Sequence, residues 1–357
     1  MRRLLRWLGI GLGAFAFSFA LLALAIALAP YPAVEARPGP AIPGVFHVHA
    51  DGSHDGFGTL DEATRAAAAT GARFLVLTEH NVLRPDRPIV QNGVVVVPGV
   101  EISAQPGHVV ALALAEVPPP EERGPDVLQA IAAREGVAVL AHPVNLRRPW
   151  TDPGVDHFAG FEALSLDSSF RLALARAPWR LGLAAAALAG DRRKVGALLV
   201  DRPDDGLARY DQVVAESPVA LLCGVDAHGL PPYASSFGAM NLYVPGPLSG
   251  DAARDAEAVI TAIRAHLTFC GVPALGDASS FSFSAGPEEV AARVQAPGVT
   301  LALYRDGVRV AQGPGPELRV AGGAGRWRAE VTVDRPGFPF RDGALWIASS
   351  AQRVHER

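Results

Sequence analysis

Hydrophobic and polar positions change their pattern twice along the chain. Residues 7–29 form a long apolar stretch, and short apolar runs then alternate with helical patterns up to residue 275. Beyond residue 275, apolar and polar residues alternate in short runs that Gly, Pro and Asp-Gly turns separate. The pattern predicts a helix long enough to span a membrane, an α/β unit and an all-β unit, in that order.

The first apolar stretch follows Arg2, Arg3 and Arg6, and its 23 residues would cover about 34 Å as a helix, enough for a bilayer core. The arginines predict a single-pass helix in the plasma (inner) membrane, with a cytoplasmic N-terminus and an extracytoplasmic, periplasmic catalytic part. A protein secreted after signal cleavage is the alternative, because Ala27-Leu28-Ala29 resembles a cleavage site. The length of the stretch and Pro30, directly after that site, favour the uncleaved anchor.

Four segments are predicted: an anchor at 1–29, a proline-rich linker at 30–43, an α/β unit at 44–275 and a small β-sandwich at 276–357. Repeated alternation of strands and helices in the α/β unit predicts a parallel sheet, and the number of repeats favours a barrel. A helical insertion at 170–215 contains two apolar runs, which a second membrane span would also explain. The charged segment 191–194 interrupts them, so a pair of packed helices is the better interpretation.

Composition excludes one class of partner. The formal charge of −4 and the pI near 6.2 give no electrostatic basis for binding a long nucleic acid. The two cysteines, Cys223 and Cys270, could pair in an oxidising compartment. We favour free thiols, because Cys223 lies in the apolar run 219–225, where a buried thiol is common.

Imidazoles and carboxylates follow successive apolar runs. Six of the ten histidines lie at the ends of predicted strands or just beyond them. Alternate residues of a strand point to the same face, so one strand can aim two ligands at one point. Neutral imidazoles suit zinc, iron and manganese, and carboxylates can bridge two such ions. The pattern predicts two to three divalent metal ions (Zn, Mn or Fe), held by His47, His49, Asp55, His80, Glu101, His108, His142, Asp226 and His228.

The order of these motifs resembles that of the polymerase and histidinol phosphatase (PHP) superfamily of metal-dependent phosphoesterases. The resemblance covers about residues 44–275 and includes, in turn, an H-x-H motif with its turn, a T-D-H-N motif, a G-x-E motif with a G-H continuation, an A-H-P motif and a D-x-H motif. The matching segments are His47-Val48-His49 with Ser53-His54-Asp55-Gly56, Thr78-Glu79-His80-Asn81, Gly99-Val100-Glu101 with Gly107-His108, Ala141-His142-Pro143 and Asp226-Ala227-His228.

The resemblance implies a distorted (β/α)7 TIM-like barrel with the metals at the C-terminal rim of its strands. It implies three ligand sets: His47, His49, Glu101 and Asp226; Glu101, His108 and His142; and Asp55, His80 and His228. Glu79 replaces the usual aspartate of its motif, and we expect it to support the ligands rather than bind metal. The extra His54 leaves Asp51 as an alternative to Asp55, which the adjacent Gly56 favours.

Divalent cations lower the pKa of a bound water and so produce a hydroxide that can attack an ester. The predicted function is hydrolysis of a phosphate ester of a small molecule or nucleotide, with His47, His49, Asp226 and His228 as the catalytic set. Arg147 and Arg148 could bind the phosphate or be ordinary loop residues, and Asn81 could contact the substrate or cap a turn. We expect His54 to be an exposed loop residue rather than a proton shuttle.

Two other functions are compatible with the same residues. Metal hydroxide also attacks carbonyl groups, so a carbamate or carboxylic ester is an alternative substrate, and the additional β unit resembles that subgroup of the superfamily. A non-catalytic metal-binding surface protein is less favoured, because all nine ligand positions are retained. The expected partners are a small phosphorylated substrate and, through the anchor, a membrane.

Overall fold

The computed structural model describes residues 2–154 and 156–355. Four residues lie outside the described part: Met1 of the predicted anchor, Val155 of the predicted α/β unit, and Glu356 and Arg357 of the predicted β unit. The chain has a mixed α/β fold built on one large sheet. Its helices are α1 (Arg2–Leu28), α2 (Leu60–Ala69), α3 (Val127–Ala132), α4 (Leu166–Arg176), α5 (Trp179–Ala189), α6 (Val195–Leu199), α7 (Asp204–Glu216), α8 (Tyr233–Phe237) and α9 (Ala252–Arg264).

The strands fall into two groups along the chain. Those of the first group are β1 (Ile42–Val48), β2 (Phe74–His80), β3 (Ile89–Gln91), β4 (Val94–Ala104), β5 (Gly107–Leu112), β6 (Val137–Leu140), β7 (Gly160–Ser165), β8 (Ala220–Gly224), β9 (Asn241–Val244) and β10 (Phe269–Gly271). Those of the second are β11 (Ser282–Ala285), β12 (Glu289–Arg293), β13 (Val299–Arg305), β14 (Val308–Pro314), β15 (Glu317–Ala321), β16 (Gly325–Val333), β17 (Ala344–Ser349) and β18 (Gln352–Val354).

One half of the large sheet runs in the order β9-β1-β2-β4-β5-β6-β7-β8. The pairs β1–β2, β2–β4, β6–β7 and β7–β8 are parallel, whereas β5 is antiparallel to both of its neighbours. After β8 the chain returns to β1, where Val225 N donates to Phe46 O at 3.0 Å and Val48 bridges Ala227. A regular barrel of seven β/α units stays a prediction from the resemblance.

The C-terminal strands extend the large sheet. β10 pairs with β9 on one side and with β17 on the other, so the sheet continues across the predicted boundary at residue 275. A second sheet, β11-β12-β15, covers this region, and apolar side chains such as Val290, Leu301 and Trp327 fill the space between the layers. The two layers resemble the expected sandwich, while the division into separate units stays a prediction.

The proline-rich segment lies on the protein surface and is docked there. Val34 N donates to Leu275 O at 2.8 Å, and Arg37 N donates to Gln295 O at 2.9 Å. Tyr31 and Ala36 pack against the core of the β region. The segment is therefore extended, as its prolines predict, but it is held at several points rather than acting as a free spacer.

Helix α1 is long and apolar enough to cross a membrane, which no other helix in the described ranges is. Helix α5 has 11 residues, about 16 Å, which is too short for a span. It packs between α6 and the end of α1, burying Ala23 and Ile26. The buried ammonium of Lys194 donates to Ile26 O at 2.8 Å and to Ala29 O at 2.7 Å, which satisfies carbonyls that the end of α1 leaves free.

Cys223 and Cys270 form a disulfide, so the expectation of free thiols was wrong. The two residues are 47 positions apart, on β8 and β10, and their Cα atoms lie 5.9 Å apart, within the usual range for a disulfide. From sequence alone, a buried free cysteine in an apolar run cannot be distinguished from a cysteine that forms a disulfide. Only the packing of β8 against β10 distinguishes them.

An ion network joins the helical insertion to the C-terminal strands. The carboxylate of Glu330, on β16, accepts from Arg202 and Arg328, and Arg328 also donates to both carboxylate oxygens of Asp211 at 2.7 and 2.8 Å. Burial alone would raise the pKa of Glu330, but the two guanidinium groups hold it below its usual value. Because Glu330 is 1% exposed, the network is a desolvated contact whose partners depend on each other.

Replacing Glu330 by Gln should destabilise the protein by about 3 kcal/mol, because Arg202 loses its buried partner and the buried Arg328 keeps only Asp211. The lowered pKa means that Glu330 stabilises the fold fully above its unfolded value of about 4.5, and that this contribution is lost as the pH falls further. Denaturant unfolding at several pH values should therefore show a wild-type advantage that shrinks below pH about 4.5. Glu289→Gln, in an exposed pair with Arg319, is the matched control and should cost less than about 1 kcal/mol.

Candidate metal centre

The nine predicted ligands converge at one edge of the large sheet. His47 lies in β1, His80 ends β2, and His49, His142, Asp226 and His228 follow strand ends, as the sequence pattern suggests. Glu101 and His108 differ, because Glu101 lies inside the long strand β4 and His108 lies at the start of the antiparallel strand β5. The β4–β5 hairpin extends past its neighbours and brings both side chains back to the same edge.

Three of these residues have a left-handed backbone, which non-glycine residues rarely adopt. The φ angles are 66° at His47, 32° at His142 and 48° at Asp226. At His47 this coincides with a break in the β1–β2 register between Val45 and Val48. The two imidazoles of the H-x-H motif therefore meet through an irregular strand, with ring centroids 5.2 Å apart, and not through simple alternation along a regular one.

The innermost group consists of His47, His49, Glu101 and Asp226. The Nε2 atom of His47 lies 3.4 Å from Glu101 Oε2 and 3.5 Å from Asp226 Oδ1, and His49 Nε2 lies 3.3 Å from each of the same oxygens. These separations are longer than good hydrogen bonds. They are close to the roughly 3.4 Å expected between two ligand atoms that each lie about 2.1 Å from one tetrahedral ion.

Two further groups flank the first. His108 Nδ1 and His142 Nε2 lie 2.7 and 3.1 Å from Glu101 Oε1, so this carboxylate presents one oxygen to each of two neighbouring groups. On the other side, His80 Nε2 and His228 Nε2 each lie 3.4 Å from Asp55 Oδ2. Two of the groups have the same members as ligand sets implied by the resemblance, whereas His80 and His228 group with His49 and face Asp55 from 3.4 Å. The assignment of Asp55 rather than the exposed Asp51 as a ligand stays a prediction.

Buried polar atoms without a hydrogen-bond partner test whether metal ions fit these groups. His47 Nε2, His49 Nε2 and Glu101 Oε2 are all of this kind, and all three point into the innermost group. A desolvated nitrogen or oxygen that makes no hydrogen bond costs free energy, unless another partner such as a cation binds it. The donor set, imidazole nitrogens with bridging carboxylates, suits divalent zinc, manganese or iron.

The electrostatics of the cluster also favour a cation. Burial alone would lower the pKa of His47, but the carboxylates of Glu162 and Glu101 outweigh it and raise this pKa well above its usual value. Burial alone would also lower the pKa of His49, but Asp226 and Glu101 raise it to about 9. The carboxylates therefore attract positive charge strongly enough to overcome desolvation, and a divalent ion would experience the same attraction.

Glu162 and Glu79 hold the ligands in place without joining them. Glu162, buried in β7, accepts from His47 Nδ1 at 2.7 Å through one oxygen and from His142 N at 2.7 Å through the other. This fixes the ring of His47 with Nε2 directed at the metal site. Glu79 accepts from Ala50 N and Gly52 N and so shapes the turn that carries Asp55.

A cavity of about 460 Å³ is lined by several of the predicted ligands and by Arg147, Arg148 and Arg171, which we call the arginine wall. Arg147 and Arg148 are held there by backbone hydrogen bonds to Asn145 Oδ1. Arg171, on α4, donates to Asp167 at 2.8 Å and lines the same wall. His54 is 79% exposed at the rim, as expected for a loop residue.

The side chain of Asn81 forms hydrogen bonds within the protein. Its Oδ1 accepts from Ser103 N at 3.1 Å and from Arg123 at 2.8 Å, which leaves its amide occupied by the protein itself.

Sequence reasoning missed Glu162, Asp167 and Arg171. Glu162 carried a usable signal, because it is an acidic residue inside the apolar strand Gly160–Ser165, and a buried charge there needs a polar partner. Asp167 follows the end of that strand closely, as other site residues follow theirs. Arg171 gave no such signal, because its role depends on the direction of α4, which periodicity does not reveal.

Glu162→Gln should weaken metal binding about 10- to 100-fold, because the amide no longer provides the charge that orients His47. The metal affinity of the purified full chain, measured by competition with a chelating dye, checks this. Glu216→Gln, at an exposed position on α7, is the control and should leave the affinity unchanged. Equal affinities for wild type and Glu162→Gln would show that Glu162 does not support the site.

Comparison with known proteins finds a likeness to solved structures. No protein-family model matches the chain, and no curated protein matches it. A crystal structure of a two-domain protein from Bacteroides vulgatus, described as containing a predicted PHP-like metal-dependent phosphoesterase, is similar at 13% identity and a TM-score of 0.41. The similarity covers 89% of this chain and 98% of that one.

Proposed function

We propose that this protein is a membrane-anchored, metal-dependent hydrolase of the PHP type that cleaves a phosphate ester of a small molecule or nucleotide outside the cytoplasm. One observation carries the proposal: buried imidazoles and carboxylates converge around Glu101, at the base of a cavity with cationic side chains on its wall. This arrangement suits an anionic substrate whose oxygens are neutralised from both sides.

The nine ligands would hold two to three divalent ions. When bound, such ions lower the pKa of a coordinated water and neutralise phosphate oxygens. The chain supplies the remaining requirements. His228 Nδ1–H donates to Asp226 O at 3.0 Å, which leaves Nε2 free to face Asp55 and the cavity.

The arginine wall would orient the substrate. Arg147 and Arg148 are exposed and have forked donors that match phosphate geometry, and their backbone is fixed by the buried Asn145. Arg171, which is paired with Asp167, would add a third guanidinium group to the cavity lining. No serine or cysteine nucleophile is required by this arrangement.

The position outside the cytoplasm rests on α1 and on the disulfide. A 27-residue helix that is basic in its first five residues and apolar beyond them is typical of an anchor with a cytoplasmic N-terminus. A disulfide between Cys223 and Cys270 agrees with an oxidising compartment. A closed barrel of seven β/α units is likewise part of the proposal, supported by the return of the chain from β8 to β1.

The full chain should contain two to three metal ions by elemental analysis and should hydrolyse para-nitrophenyl phosphate or its diester. His49→Ala and Asp226→Ala should each abolish this hydrolysis, because both remove a ligand from the innermost group. His157→Ala, an exposed histidine away from the site, should retain it. Hydrolysis of carboxylic esters or carbamates alone would favour the alternative substrate class, and bound metals without activity on any ester would contradict an enzymatic function.

Arg147→Ala and Arg148→Ala should each raise the KM for a phosphate ester about tenfold while metal content stays unchanged, because each removes a charged hydrogen bond to the substrate and no metal ligand. Steady-state kinetics on the soluble ester checks this. Arg309→Ala, exposed on β14, is the matched control. An unchanged KM in both site variants would show that the arginine wall does not bind phosphate.

A further inference from the structure

The outward face of α5 is apolar where a water-exposed helix would be polar, and the neighbouring α4 also exposes large apolar side chains, beside the exposed Arg176 at its end. On α5 the exposed positions are Trp179, Gly182, Ala185, Leu188 and Ala189, and no charged residue occurs between residues 181 and 190. On α4, Phe170 is 41% exposed and Leu174 is 57% exposed. A helix surface in water normally carries polar residues, and a contiguous exposed apolar patch indicates a contact. We call the set Phe170, Leu174, Trp179, Ala185 and Leu188 the apolar patch.

The depth of α1 in a bilayer identifies what covers this patch. Arg3 and Arg6 cannot enter the hydrocarbon core, so the core begins near Trp7. Twenty residues at about 1.5 Å each cover its roughly 30 Å and end near Ile26. The residues of α1 that pack around α5 are Phe19, Leu22, Ala23 and Ile26. They lie within the last eight residues of that span, so α5 packs against a part of α1 that is still inside the membrane.

Two contacts fix α5 at this depth. Lys194, which follows α5, donates to the carbonyls of Ile26 and Ala29 at the end of α1. The guanidinium of Arg193 lies 3.9 Å from the centre of the Tyr31 ring, just beyond the helix. Trp179 stands at the start of α5, and tryptophan prefers the interface between lipid and water. The anchor and the catalytic part are therefore held together where the bilayer ends.

Helix α4 connects the apolar patch to the metal centre. Asp167 and Arg171 line the cavity, and Phe170 and Leu174 occupy the same helix face at the spacing 167, 170, 171, 174. Leu146, directly before the two arginines of the cavity wall, is also 58% exposed. The polar cavity beside the metal centre and the apolar patch therefore meet along one side of α4.

We propose that the apolar patch lies in the bilayer leaflet beside α1 and that the metal centre hydrolyses a phosphate ester carried by a membrane lipid. The first part rests on the proposed membrane anchor, and the second rests on the proposed hydrolase activity. A lipid headgroup at the surface would have its phosphate level with the arginine wall while its acyl chains remained against Phe170 and Leu174. No part of the substrate would need to leave the membrane.

Site-directed spin labelling of the full chain in phosphatidylcholine–phosphatidylglycerol vesicles tests the surface. Labels are introduced by Leu174→Cys and Leu188→Cys, and by Val308→Cys, which is 66% exposed in the β region, as the control. The native cysteines are paired and do not react. The labels at 174 and 188 should collide more with oxygen than with a water-soluble nickel complex, and the label at 308 should show the reverse. Equal, aqueous behaviour at all three positions would overturn the proposal.

The substrate class is tested by comparing dioleoyl phosphatidic acid in vesicles with soluble para-nitrophenyl phosphate. Leu174→Glu combined with Leu188→Glu should reduce hydrolysis of the lipid at least tenfold and leave hydrolysis of the soluble ester within twofold, about 0.4 kcal/mol. Val308→Glu combined with Val310→Glu should change neither. Wild-type activity on the soluble ester alone would overturn the lipid substrate and leave the hydrolase function standing. Activity on neither ester would overturn both, and the spin labels would still decide the surface.

Discussion

The buried carboxylate of Glu101 is the constraint around which the rest of the structure is arranged. It has essentially no exposure to water, and imidazoles from five histidines, His47, His49, His80, His108 and His142, lie around its two oxygens. An unbalanced charge at this depth would cost several kcal/mol, so the carboxylate requires positive charge nearby, from protons or from cations. That requirement explains why β1, β2, β5 and β6 all direct a histidine to the same point. It also explains why the pKa of Glu101 is held well below its usual value, chiefly by His47, although burial alone would raise it.

Convergence of this kind strains the backbone. His47, His142 and Asp226 adopt left-handed conformations that cost of order 1–3 kcal/mol each when no glycine is present. The strain persists because neighbouring contacts over-determine these positions. Glu162 binds His47 through its ring and His142 through its backbone, and Ala227 on the adjoining segment accepts from His49 N at 2.9 Å. At this edge of the sheet, the backbone of the predicted ligands is therefore strained, and the strain places their side chains where they could bind ions.

The chemistry of the site was predictable from sequence to a greater degree than its geometry. The predicted ligands could be recognised from sequence because histidines and acidic residues stand out beside apolar runs. The capping box of α2, from Thr59 to Glu62, is a local pattern of the same kind. Glu162 and the Cys223–Cys270 pairing depend on which strands become neighbours, which is a long-range property. The antiparallel insertion of β5 and the continuation of the sheet from β10 into β17 also escaped prediction, since short apolar strands carry no mark of their partners. Lys194 looked like part of a charged break between two helices, whereas it caps a helix 165 residues away.

The contact between Lys194 and the end of α1 helps to decide whether α1 is an anchor or a cleaved signal. Cleavage after Ala29 would remove Ile26, whose carbonyl accepts from Lys194, and would uncover Ala184 and Ala187, which are buried against α1. A buried ammonium deprived of an acceptor is costly, and the newly exposed apolar surface would add to that cost. A signal peptide has no reason to form part of the folded core, because it is removed as the protein is exported. The segment after α1 is also docked, through hydrogen bonds to Leu275 and Gln295, so packing rather than a flexible tether connects α1 to the rest of the chain. If α1 spans a membrane, as we propose, the same packing would set the orientation of the candidate metal centre.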